Sequence, residues 1–308
     1  KKCVLSYAAQ WNLEEAFLTW LEEENLFCST LVDRIVTGFP KGEEDALNEE
    51  NGYLDAAMDT GEVFAFWVIE GPAALKHELP FEKAGLPVLI THDHRPYKER
   101  KVRILNGAHT SMVMGAYLAG FDIVRDCMED DVVCGFMNKA VYEEIMPTLS
   151  LPREELESFA FAVTERFKNP FIDHALLSIC LNSTSKWKAR VLPSLKAYAD
   201  RTGELPLCLT ASFAFYLAFY RGTELTEAGL AAVRPNGEVY TVSDDRNVLS
   251  FFAAHKDDRE EEYVHAVCAN EGLWDMDLCS LPGFEAAVTH MVKKIRPDGT
   301  YEVMKSVC

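Results

Sequence analysis

The spacing of apolar residues changes near residue 98, and the change divides the chain into two predicted architectures. Before it, short runs of branched and aromatic residues alternate with polar stretches. "VFAFWVIEG" and "LPVLITHD" are bounded by Gly, Pro or Asp and read as strands. "TLVDRIVTGF", ending in Gly-Phe-Pro, reads as a strand or an extended segment. "NLEEAFLTWLEEEN" reads as a helix, with Asn12 as its cap, Glu15 closing a capping box, and Phe17, Trp20 and Leu21 as its apolar stripe. The acidic "KGEEDALNEENGYLDAAMDTGE" predicts loops around one short helix.

Beyond residue 98 the apolar positions recur every three or four residues. "RILNGAHTSMVMGAYLAGF", "VVCGFMNKAVYEEIM", "PREELESFAFAVTERF", "FIDHALLSICLN", "VLPSLKAYADR" and "LTASFAFYLAFYRG" all predict helices. Pro152 marks a helix start, and Gly203, Gly222 and Gly299 follow helix ends. No unit of about 20–50 residues repeats, so the pattern does not predict a solenoid. The expected fold is mainly α: an α/β front over residues 1–97, then an all-helical domain over residues 98–308. Two clear strands fall short of the usual sheet of about five or six. The front therefore reads as the last part of a larger α/β domain. A first residue of Lys1, set directly in a structured stretch, adds the expectation of a fragment or processed product.

Composition narrows the function. The 308 residues carry 49 acidic against 30 basic side chains, a formal charge of −19. That balance argues against a partner built on a phosphate backbone and against docking on an anionic membrane. No apolar run is long enough for a membrane span, and no signal peptide is visible. Nine cysteines are scattered without any C-x-x-C pair, several in apolar contexts such as "LLSICL" and "LPLCLTASFAF". Reduced, buried thiols in a reducing, cytoplasmic compartment are the expectation.

Candidate chemistry concentrates in "KVRILNGAH". On an α-helix, with Lys101 at zero, His109 falls at about 80° and Asn106 at about 140°, within one broad face. A partly desolvated lysine there is a usable general acid or base; an asparagine amide can donate to a developing alkoxide, and a histidine can bond a hydroxyl. Gly107 lets another backbone or a ligand come close. A solvated lysine, an asparagine near a helix start and a packed histidine fit the same spacing. In "ERFKNPFIDH", Arg166 lies before a corner where its guanidinium can clamp a carboxylate, Asn169-Pro170 reads as a helix cap, and His174 faces the core or a cleft. Asp33 and Arg34 interrupt an apolar run as an ion pair or, for Asp33, as an acceptor of a substrate hydroxyl. His92 and His94 have strand spacing for two metal ligands but lack a third and fourth. Lys98, Arg100, Lys101 and Arg103 form the densest basic cluster, which suggests a small anionic substrate. No G-x-G-x-x-G, P-loop or G-x-S-x-G occurs.

"KVRILNGAH" resembles the K-x4-N-x2-H signature of the polyol-specific long-chain dehydrogenases, the mannitol dehydrogenase family. "EAFLTWLEEENLFCSTLVDRIVTGFP", "PYKERKVRILNGAHTSMV" and "YEEIMPTLSLPREELESFAFAVTERFKNPFIDHALLSICLN" extend the likeness through nearly the whole chain, to the branch acting on hexuronates. The resemblance implies a Rossmann-type NAD-binding domain, of which residues 1–97 are the C-terminal part, followed by a helical substrate domain. It implies NAD-dependent interconversion of D-tagaturonate and D-altronate, with fructuronate/mannonate or mannitol/fructose as sibling specificities. A non-catalytic helical module is the contrasting expectation if the chain is complete as given. By the same resemblance Lys101 is the general acid/base, Asn106 and His109 complete the catalytic set, and Asp33 and Arg166 line the substrate pocket; Arg103 and Asn169 are further candidates for contacting a sugar acid. No metal is implied. The family's glycine-rich turn and a further oxyanion-site asparagine lie upstream of these residues, so NADH (NAD) would be bound mainly by a segment outside this chain.

Overall fold

In the computed structural model, which describes residues 1–308, the branched runs of the front pair as a sheet. Phe66–Glu70 is its middle strand, antiparallel to Ser29–Asp33 and parallel to Val88–Thr91. Leu31 lies opposite Val68, and Leu31, Val68 and Ile69 are buried. A short ribbon, Val36–Gly38 with Thr60–Gly61, follows the first strand. Helices Lys2–Gln10, Glu15–Glu23 and Glu44–Asn51 complete this α/β unit, which spans Lys1–Lys98.

The expected cap at Asn12 does not form. Asn12 adopts a left-handed backbone (φ 50°) in the turn after Lys2–Gln10, a conformation that asparagine tolerates, and Glu14 precedes the next helix without a side-chain cap. Of the predicted stripe, only Leu21 is buried.

The second unit, Glu99–Cys308, is organised around three helices: Gly107–Ala119, Leu207–Tyr220 and Phe284–Val307. Every residue from Gly107 to Leu118 is buried, as are nearly all of Leu207–Tyr220. Helices apolar on all sides must be enclosed by others, and these two are. Gly115 is where they meet. A Cβ there would lie 2.6 Å from the Phe215 ring and 2.5 Å from Met304 Cε, and Thr300 Oγ1 donates to the Gly115 carbonyl (2.7 Å). Phe284–Val307 is broken at Gly299 (φ 82°), two residues beyond Pro297, in keeping with the predicted helix end.

Leu207–Tyr220 begins with apolar side chains and has no cap of its own. Glu144, buried on the π-helical turn Ala140–Ile145, accepts from the backbone N–H groups of Cys208 (2.8 Å) and Leu209 (2.9 Å). A carboxylate from a distant segment thus satisfies donors that the local sequence leaves open.

The second unit is not all helical. Glu224–Leu225, Leu230–Val233 and Val239–Val242 form an antiparallel sheet. Asn236-Gly237 makes its turn, with Gly237 at φ 90°, and Tyr240 and Val242 alternate inward. Asn-Gly between branched residues is a hairpin signal, and here it overrides the helical context. "FIDHALLSICLN" is likewise helical only over Leu176–Ile179, because its first half bridges instead: Val124 N–H donates to the His174 carbonyl and Leu176 N–H to that of Asp122. All nine cysteines are unpaired, Cys180 and Cys208 among the buried ones. No helix is long and apolar enough to cross a membrane.

Gly115→Ala is expected to destabilise the chain by about 1–3 kcal/mol, since the enclosed Phe215 ring cannot yield as Met304 can. Urea unfolding of both forms measures it as a lowered midpoint at unchanged slope.

Candidate active site

Lys101–Asn106 is a π-helical turn set between the helices Arg95–Arg100 and Gly107–Ala119. The Gly107 N–H bonds to the carbonyl of Val102, five residues back. This corrects the α-helical geometry expected for the segment. Residues five apart diverge by about 140° on an α-helix. A wider turn that closes i to i+5 brings them nearer one face, so Lys101 and Asn106 gain a common side. Gly107 fits the expected close approach: the Arg190 carbonyl would lie 3.4 Å from a Cβ there, in contact without a clash.

His109 is buried in the first turn of the next helix. Its ring stacks on Phe167 (3.9 Å between centroids, 9° between planes) and meets His174 edge-on (5.4 Å). Burial, then the charges of His174, Arg190, Arg166 and Lys101, hold its pKa well below the ordinary 6.5, so the ring is neutral. Its Nε2 and the Oδ1 of Asn106 are both buried without a hydrogen-bond partner. Such atoms are rare in folded proteins, and two so close in sequence point to a ligand that completes them.

The positive charge near His109 comes largely from residues other than the predicted basic cluster. Arg100 is paired with Glu155 (2.6 Å) and lies over the Phe159 ring (4.5 Å). Arg103 donates to Ser194 Oγ (3.1 Å), and burial lowers its pKa. Asn169 caps no helix; its Oδ1 accepts from the Phe171 N–H in a local turn. Arg166, near the end of Arg153–Phe167, does bear on His109. Asp33, almost fully buried, ends the strand Ser29–Asp33 in the first unit. The expected Asp33–Arg34 ion pair is not formed, as Arg34 Nε donates to the Glu62 carbonyl. The His92/His94 pair is no metal site either: His94 engages both ring nitrogens, with Glu70 Oε2 (2.6 Å) and Ser29 Oγ (3.1 Å).

Two cations of the site were missed in the sequence, Lys186 and Arg190 on the helix Ser183–Arg190. Their i, i+4 spacing puts them on one face, the available signal, while Lys188 turns to Asp275 (3.1 Å). Neither has a carboxylate within ion-pairing distance: Lys186 Nζ donates to the Ile179 carbonyl (2.8 Å) and Arg190 to Thr110 Oγ1 (3.3 Å). Burial lowers the pKa of both, and in Lys186 the Arg190 charge adds to it. A polar network fixes the start of this helix. Asp244 accepts from the Thr184 N–H (3.1 Å) and the Tyr220 hydroxyl (2.5 Å), and Tyr220 accepts from the Ser183 N–H (3.1 Å). Trp187 Nε1 donates to Ser212 Oγ (3.0 Å), with its ring against Phe213 (4.6 Å).

Comparison with known proteins places these observations in a family context. Residues 93–296 match the family model for the mannitol dehydrogenase C-terminal domain, and residues 1–83 match that for the mannitol dehydrogenase Rossmann domain. Altronate oxidoreductase of Klebsiella pneumoniae (strain 342) is 47% identical over 99% of this chain and 62% of its own length. The Escherichia coli (strain K12) protein of that name is 46% identical over all of the chain and 63% of its own length. The chain therefore spans a little over three fifths of these relatives. In structure it is similar to Pseudomonas fluorescens mannitol 2-dehydrogenase, solved as a ternary complex with NAD and D-mannitol (TM-score 0.78, 24% identity, 95% of this chain and 56% of that one). A substrate-free D-sorbitol dehydrogenase is also similar (TM-score 0.76, 24% identity, 94% and 57%). At that identity the likeness concerns the fold.

The neutral His109 gives stability a pH dependence of defined sign. The unfolded ring titrates near 6.5 and the folded one well below it, so the folded chain binds fewer protons in between. Its contribution is full above 6.5 and falls as pH drops below that value; His174, its pKa lowered by burial and Lys186, acts with the same sign. Urea melts at about pH 7.5 and about pH 5.5 are expected to show a smaller acid loss in His109→Gln than in the unaltered chain.

Proposed function

Because the chain belongs to the mannitol dehydrogenase family, we propose that it carries the proton-transfer and substrate half of an NAD-dependent oxidoreductase interconverting D-tagaturonate and D-altronate. One observation carries the reading: Asn106 Oδ1 and His109 Nε2 are buried and unpartnered, with the charges of Arg190, Arg166 and Lys101 bearing on the His109 ring. The names of the altronate oxidoreductases similar to this chain support the same substrate class.

In this reading Lys101 protonates the keto oxygen during reduction and takes the proton back during oxidation. The Asn106 amide steadies the charge developing on that oxygen, and the neutral His109 bonds a neighbouring hydroxyl. Arg190 and Arg166 answer the substrate carboxylate, which no acidic side chain beside Arg190 pre-empts. Arg103 and Asn169 are engaged with Ser194 and Phe171, and the reading leans on Arg190 in their place. Asp33 remains a candidate hydroxyl acceptor on the family resemblance. A bound nicotinamide would be the hydride source or acceptor for the keto carbon. No glycine-rich strand-to-helix turn, the usual cradle for a dinucleotide's phosphates, occurs in these residues.

In the full-length enzyme, Lys101→Ala is expected to cut turnover by about 10²-fold or more while NADH affinity stays nearly unchanged. Steady-state kinetics beside an NADH fluorescence titration separate the two, and surviving turnover would remove Lys101 from proton transfer. Arg190→Gln is expected to raise KM for tagaturonate by about 10- to 100-fold, the cost of a lost charged hydrogen bond, with little change for fructose. Comparing rates on tagaturonate, fructuronate and fructose tests this; an equal loss on all three ends the carboxylate role, and a clear preference of the unaltered enzyme for fructose sinks the substrate assignment.

A further inference from the structure

A second convergence of side chains shares no residue with the His109 cluster. His265 on the helix Glu260–Cys268, Cys279 in the turn Leu278–Ser280, and Glu285 in the first turn of Phe284–Val307 meet at the surface of the second unit. His265 Nδ1 lies 3.1 Å from Glu285 Oε1 and 3.8 Å from Cys279 Sγ, and one ligand atom from each residue lies within 4.8 Å of the others.

Two chemistries use cysteine, histidine and glutamate together. A nucleophilic relay needs the thiol on one imidazole nitrogen and the carboxylate on the other. Here both face the same Nδ1, so no proton can be passed along the three. The thiol is also poorly suited to attack: burial first, then hydrogen bonds to Glu285 and Asp277, push its pKa up to about 12. A shared centre is what metal ligation requires. Ligand atoms bound tetrahedrally at about 2.0–2.3 Å stand roughly 3.3–3.8 Å from one another, close to the separations found.

We propose that His265, Cys279 and Glu285 form a three-ligand site for a divalent ion of borderline softness, best suited to Zn²⁺. The donor set selects it: sulfur and imidazole disfavour calcium and magnesium, whereas Zn²⁺ takes S, N and O together. The cysteine is held in place by its turn, its N–H donating to Asp277 Oδ1 (2.8 Å). An adjoining cavity of about 570 Å³, lined by Cys279, Glu285, Glu261 and His290, leaves room for a water as fourth ligand. On binding, the thiol gives its proton to solvent and the thiolate bonds the metal, with no change of oxidation state. The ion would tie Glu260–Cys268 to Phe284–Val307 and takes no part in the proposed reaction.

The test is titration of the 308-residue chain with Zn²⁺ by calorimetry and with Co²⁺ by absorption. One ion is expected per chain, with thiolate-to-cobalt charge transfer in the near ultraviolet and tetrahedral bands in the visible. Cys279→Ser should abolish the charge-transfer band, and His265→Ala or Glu285→Gln should weaken Zn²⁺ binding at least about tenfold. A band that survives Cys279→Ser reports other thiols, such as exposed Cys3, Cys28 or Cys308, and overturns the site; so does the absence of Zn²⁺ binding. Should Cys279→Ser fail to fold by circular dichroism, the exposed His265→Ala decides, since unaltered affinity there is equally fatal.

Discussion

Enclosure of the helix Gly107–Ala119 is the constraint on which the proposed site depends. Nothing from Gly107 to Leu118 reaches solvent freely, so a histidine in its first turn is desolvated whatever its role. Neutral His109 and the unpartnered atoms beside it follow from that burial. The enclosure rests in turn on Gly115, whose missing side chain admits Phe215 and Met304. A packing requirement at one glycine thereby sets the electrostatics two turns away.

The surrounding helices are held by carboxylates borrowed from elsewhere. Glu144 satisfies the opening N–H groups of Leu207–Tyr220, and Asp244 does the same for Ser183–Arg190, the helix that presents Lys186 and Arg190. Both helices start in sequences that offer their own caps little or no side-chain bonding. In a chain of net charge −19, these two acids serve backbone donors and the Tyr220 hydroxyl, while Arg190 bonds the Thr110 hydroxyl. A desolvated guanidinium that carries a hydroxyl rather than a carboxylate, beside a neutral histidine, is what the proposed carboxylate-bearing substrate calls for.

Much was legible along the chain wherever local chemistry decides. Branched runs bounded by Gly, Pro or Asp became strands at Phe66–Glu70 and Val88–Thr91, and three-to-four spacing became helices around residues 107, 153, 192 and 207. The misreadings fell where local signals compete. Asn12 offered a cap but took the left-handed turn, and Asn169-Pro170 offered a helix start but closed a local turn. Asn236-Gly237 folded a hairpin inside a region read as helical. The π turn at Lys101–Asn106 was invisible because apolar periodicity does not separate i+4 from i+5 closure over six residues.

The sequence by itself determined the type and order of most elements, and the K-x4-N-x2-H stretch that resembles a dehydrogenase motif, because these rest on neighbours within a few positions. Only the tertiary structure decided which charges surround His109. It turned Arg100 to Glu155 and Arg103 to Ser194, and brought Arg166 and Arg190 in from segments more than fifty residues away. Charge carries no period along a chain, and its effect depends on distance and desolvation, which only packing sets.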